Sequence, residues 1–87
     1  MIYVPIDRGE TVYSEEIIGV FDLDITSQSH ITREYLKNAE KRGSIETTAE
    51  DIPKTFIVCE KGDMEKVYLA GPNTSTILKR TENKAQG

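Results

Sequence analysis

The sequence predicts an α+β fold: a small, largely antiparallel sheet covered by one main helix, with a short helix near the C-terminus. Three observations carry this. β-branched and aromatic runs come in pairs separated by polar, glycine-containing turns. One segment between them has helical, not alternating, periodicity. The order of strands and helices lacks the regular alternation of a parallel α/β sheet.

Each element follows from local chemistry. Met1 to Ile6 reads as a strand, Asp7-Arg8-Gly9-Glu10 as a turn, and Thr11-Val12-Tyr13 as the returning strand of a first hairpin. Ser14-Glu15-Glu16 interrupts it. Ile17 to Phe21 is a β-branched run expected to form a buried strand, and Asp22 to Ser29 is expected to be a loop. A helix then runs between a cap at Ser29 or a neighbouring Ser/Thr and a stop at Gly43. Its spacing places Ile31, Tyr35, Leu36 and Ala39 in one stripe facing a sheet. Arg33, Lys37 and Lys41 fall on the opposite face, one per turn. That ridge is either a phosphate-binding surface or an ordinary solvated face with Glu34–Lys37 and Lys37–Glu40 pairs. Ser44 to Asp51 has no clear period, although Ile45 can anchor a short edge strand. Pro53 suits a strand entrance. Lys54 to Glu60 is the strongest strand, Lys61 to Glu65, which contains Gly-Asp, is expected to turn the chain, and Lys66 to Ala70 returns as the hairpin partner. Gly71-Pro72-Asn73 ends it. Thr74 to Arg80 reads as a helix of about two turns, capped by Asn73 or Thr74. The domain thus spans residues 1–80. Residues 81–87 hold no large apolar side chain and are expected to form a flexible tail.

Composition bounds the function. Hydrophobic residues are 37% of the 87, and aromatics are 7% with no Trp. A core this thin gains from self-association or a partner surface. No apolar run approaches the ~20 residues of a membrane span, and the start lacks the pattern of a signal peptide. One Cys excludes an internal disulfide, which fits a reducing cytosol. The net charge of −4 does not advertise nucleic-acid binding, but it is unevenly spread. Of the 15 acids and 11 bases, residues 1–24 take six acids and one base, leaving nine and ten for residues 25–87.

The search for chemistry returns little. A single His and a single Cys make a zinc site within one chain improbable. His30 reads as a helix-start residue, and Cys59, inside an apolar strand, as a small buried hydrophobe. Asp22-x-Asp24 lacks the Gly and the later Glu of a calcium loop. Glu15 and Glu16, adjacent on a strand, would point to opposite faces and not form an acid–base pair. The hydroxyls of Gly71-Pro72-Asn73-Thr74-Ser75-Thr76 either cap a helix or hold a phosphate oxygen. No cofactor, metal or catalytic constellation is expected, and the chain does not read as an enzyme.

Four segments carry a resemblance: Ile17-Ile18-Gly19-Val20-Phe21-Asp22, Thr32-Arg33-Glu34-Tyr35-Leu36, Pro53-Lys54-Thr55-Phe56-Ile57-Val58 and Ser75-Thr76-Ile77-Leu78-Lys79-Arg80. In this order and spacing the chain resembles the bacterial extracellular-matrix regulators RemA and RemB, most closely the RemB branch. The resemblance spans Met1 to about Arg80. It implies a cytoplasmic DNA-binding transcription regulator of biofilm-matrix genes, built as a homo-oligomeric ring that repeats weak backbone contacts. In the RemA branch the DNA-binding arginines lie just before the third strand and in the loop before the central strand. Here those regions read Ser14-Glu15-Glu16 and Thr48-Ala49-Glu50-Asp51-Ile52-Pro53, with acids that repel phosphate. Contacts to DNA are therefore expected from Lys54, from Arg33, Lys37, Lys41 and Arg42 on the helix, or from Lys79 and Arg80. The alternative is an oligomeric protein-interaction module that has lost DNA affinity.

Overall fold

The computed structural model describes residues 3–7, 9–26, 28–48 and 52–86, with the side chains of residues 26 and 82–86 left aside. The α+β class is as expected. β1 (Tyr3–Asp7) and β2 (Glu10–Tyr13) form an antiparallel hairpin. Across it the Tyr3 and Tyr13 rings meet at a tilt of 36°, with centroids 4.6 Å apart and hydroxyls at 2.8 Å. A 3₁₀ turn, Ser14–Glu16, leads into β3 (Ile17–Asp22). A short helix α1 (Leu23–Thr26) and the main helix α2 (His30–Lys41) follow, then β4 (Ile45–Thr47). β5 (Thr55–Lys61) and β6 (Met64–Ala70) make the second hairpin, and α3 (Thr74–Gln86) closes the described chain. β3, β5, β6 and β4 form one four-stranded sheet in that order, antiparallel except for β4 against β6.

The chemistry of the turns accounts for the boundaries. The Ser29 hydroxyl accepts from the Thr32 amide at α2's start. At the other end Gly43 takes φ +71, Ser44 N–H donates to the Ala39 carbonyl at 2.9 Å, and Gly43 N–H donates to that of Glu40 at 3.0 Å. That pair of bonds ends the helix in a Schellman motif. Gly62, at φ +59, supplies the left-handed residue of the two-residue turn joining β5 to β6.

Packing is three-layered. Phe56 and Val58 of β5 and Val67 of β6 pack with Ala39 of α2. The alternate residues Ile57, Cys59, Tyr68 and Ala70 face the other way, against Val4, Ile6 and Val12 of the first hairpin and Ile77 of α3. Thr55 to Cys59 are consequently all buried. Polar ties fasten the layer formed by the first hairpin and α3. The buried Thr55 hydroxyl donates to the Pro72 carbonyl at 2.8 Å and lies 3.2 Å from the Thr74 hydroxyl. Asp7 accepts from the Gly71 amide at 3.0 Å. Arg80 Nη1 donates to the carbonyls of Pro5 and Ile6, each at 3.1 Å.

Several expectations are corrected. Ile17 to Phe21 is a strand, but an edge strand and not a buried one: Ile18 is 60% and Phe21 40% exposed. The stretch expected as a loop from Asp22 contains α1, whose first turn is capped by Asp22 Oδ1 accepting from the Ile25 amide at 3.1 Å. Ile31, expected to face the sheet, is 79% exposed, because α2's first turn overhangs it. One helix does not cover the sheet alone; the first hairpin and α3 form a second cover. Helix α3 has 13 residues instead of about two turns. Of the acids expected to oppose DNA, Glu50 and Asp51 lie outside the described residues.

Cys59 sits in the middle of this packing at 1% exposure, and burial pushes its thiol up from 9.0 to about 11. The thiolate is therefore disfavoured in the folded state, and folding stability falls as pH rises from about 9 to about 11. Denaturant melts across that range should show a steeper alkaline loss for the wild type than for Cys59→Ala. At neutral pH a thiol reagent should label the folded protein only as fast as it opens. Rapid labelling without unfolding would contradict this placement.

Candidate functional site

The basic residues expected to contact DNA divide among three places. Arg33, Lys37 and Lys41 are exposed along α2, and Arg42, also exposed, is its C-cap. Lys54 is exposed just before β5, where its backbone accepts from the Leu23 amide and donates to the Ala70 carbonyl, both at 2.9 Å. Lys79 is exposed on α3, which packs on the sheet face opposite α2. Arg80 is committed to the β1 carbonyls. The fold thus gathers the four α2 residues and separates them from Lys79 by the thickness of the sheet.

Two of the exposed acids have definite partners. Glu34 lies 3.0 Å from His30 Nε2, an i,i+4 pair on α2's exposed side, which places His30 at the helix start as expected. Glu15 is in the 3₁₀ turn and accepts from the Ser14 hydroxyl at 2.9 Å. The hydroxyls at α3's start turn inward onto Asn73. Its Oδ1 accepts from Ser75 Oγ at 2.9 Å, from Thr76 Oγ1 at 2.8 Å and from the Thr76 amide at 3.0 Å. That is helix capping, and it engages the Ser75 and Thr76 hydroxyls and the Thr76 amide within the helix start.

Reading the sequence for charge missed a second surface. α2 covers β4, β6 and β5 but stops short of β3. The uncovered strip is an open groove of about 350 Å³ between β3 and the first half of α2. Ile18, Phe21, Ile31, Phe56 and Val58 line it, with Thr32, Tyr35 and Glu65 as its polar positions. The Phe21 ring stacks on Phe56 at a centroid distance of 4.9 Å and 20° between planes. At the groove's edge the Tyr35 hydroxyl donates to the Glu65 carboxylate, joining α2 to β6. Burial, followed by that carboxylate, pushes the Tyr35 phenol up to about 12. The sequence carried no local signal for it: Ile18 and Phe21 belong to an apolar run that reads as buried, and the sheet order alone leaves them at an edge.

No family model matches the chain, and a search of curated proteins finds no match. Among the described residues no helix is long and apolar enough to cross a membrane. No group of three or more His, Cys, Asp or Glu among them is placed to hold a metal ion.

Gly19 controls the groove. A Cβ built there would meet Phe21 Cε2 at 2.6 Å and Cζ at 2.7 Å, so the ring must leave its place. Gly19→Ala should cost about 1 kcal/mol through loss of the Phe21–Phe56 stack. In a Phe21→Ala background the same substitution should cost nothing or stabilise slightly, since the alanine then only restricts the unfolded chain. A double-mutant cycle by urea denaturation reads the difference.

Proposed function

We propose that this chain is the subunit of a homo-oligomer, a ring, that binds the DNA backbone through a basic ridge on α2 and regulates transcription in the cytoplasm. The carrying observation is the exposed alignment of Arg33, Lys37 and Lys41 on successive turns, extended by Arg42 at the helix end. Phosphates are spaced regularly, and cations stepping along a helix suit them without reading bases. A subunit with net charge −4 binds weakly by itself. Repetition around an assembly raises effective concentration without improving any single contact. Large apolar side chains exposed on several sides, such as Tyr3, Met64 and Leu78, support self-association, since a ring needs two unlike contact patches per subunit. The biofilm-matrix genes enter through the resemblance to RemA and RemB alone. A second reading, a protein-interaction module without DNA affinity, is favoured by the apolar groove and by the acids at Glu15 and Glu16.

Light scattering gives the first test: a stable monomer of 9.8 kDa at micromolar concentration removes the ring. DNA titration at 50 and 200 mM salt gives the second. Affinity should drop by roughly 10³ or more if about six phosphates are neutralised, and no binding at low salt removes the DNA reading. Arg33→Glu or Lys37→Glu should weaken binding while leaving assembly intact, and Lys54→Glu should do so if that corner also faces the duplex. Arg80→Ala should instead lower folding stability by about 1–2 kcal/mol, from its lost bonds to Pro5 and Ile6, with DNA affinity unchanged.

A further inference from the structure

The two outer edges of the four-stranded sheet are built differently. β4 is three residues long and carries Glu46, which pairs with Lys66 at 3.2 Å. Short length and charge are ordinary means of keeping an edge from recruiting another strand. β3 has six residues, with neither charge nor proline from Ile17 to Phe21; its register shifts once, between Ile17 and Gly19, and among the described residues its only strand partner is β5. A strand laid along its outer edge would extend the sheet. Alternate side chains of that strand would then fall on the groove side, beside Ile18 and Phe21.

Charge defines what that strand is. Glu15 and Glu16 precede β3, while Asp22 ends it and Asp24 follows. With acids at both ends, an incoming segment carrying Lys or Arg at each end is attracted in either direction, and one with acidic ends is repelled. The chain's own sheet edges do not meet this description. A second β3 brings acids against acids whether it runs parallel or antiparallel. β4 is preceded by Lys41 and Arg42 but followed in sequence by Glu50 and Asp51.

We propose that the β3 edge and its groove bind an extended segment of another protein, apolar at alternate positions and flanked at both ends by lysine or arginine. The site uses β3 and its acidic ends, not the α2 ridge, so it stands or falls separately from DNA binding.

Fluorescence anisotropy with two labelled synthetic peptides tests it. One has an alternating valine–threonine centre with two lysines at each end; the other has glutamates in place of the lysines. The full chain should bind the lysine peptide, and raising the salt should weaken it, while the glutamate peptide should bind at least about tenfold more weakly. Phe21→Asp should abolish binding of the lysine peptide. Because that variant changes the core's margin, the combined Glu15→Lys and Asp24→Lys substitution, at two exposed positions, provides a second arm: preference should shift toward the glutamate peptide. Equal binding of the two peptides, or binding of neither, overturns the proposal. So does a loss of self-association in Phe21→Asp, with its circular dichroism unchanged and no peptide bound by the wild type, since the edge then belongs to a second copy.

Discussion

β5 and β6 form a hairpin that buries side chains on both of its faces, and the rest of the chain is arranged to keep water from them. Thr55 to Cys59 are buried without interruption, so Phe56 and Val58 need one cover while Ile57 and Cys59 need another. Each large aliphatic side chain enclosed this way contributes about 1.5–3 kcal/mol, enough to organise a domain this small. Helix α2 supplies one cover; the first hairpin and α3 supply the other. With so few residues to spend on two layers, neither cover spans the full width of the sheet. The groove beside β3 is what remains when α2 has covered the inner strands.

The hairpin layer is remote in sequence from the strands it shields, and apolar packing alone fixes its position loosely. Directional bonds complete the job. Asp7 reaches the Gly71 amide, Thr55 reaches the Pro72 carbonyl, and Arg80 grips two successive carbonyls of β1. All three converge near the point where β6 hands over to α3, so β1, β5 and α3 are joined at one corner. On the opposite face the Tyr35–Glu65 bond plays the same part for α2. An arginine engaged in this way is a structural clamp, and its charge alone is a poor guide to function.

Electrostatically the surface is divided. Bases step along the outer face of α2, whereas acids bracket the open edge of β3. A polyanion and a basic-flanked strand would be drawn to different parts of one subunit. Low hydrophobic content links these features: a chain with a thin core leaves apolar surface uncovered and relies on charge to select what covers it.

The sequence by itself determined the strand and helix segments wherever local chemistry is decisive. Alternation and β-branching set β5 and β6, Gly62-Asp63 set their turn, and Ser29 with Gly43 set the ends of α2, because capping and left-handed turns depend on a few adjacent residues. The exposure of Arg33, Lys37 and Lys41 followed from helical spacing in the same way. Tertiary structure decided the remainder. The apolar run Ile17 to Phe21 has the composition of a buried strand, and only the sheet order makes it an edge. Ile31 shares its helical stripe with Ala39, yet the sheet ends beneath one and not the other. Lys79 and Arg80 are adjacent bases, and only the approach of β1 separates a solvated lysine from a half-buried clamp. Burial depends on which distant segment arrives to cover a residue, and that information is spread over the whole chain instead of residing in the segment itself.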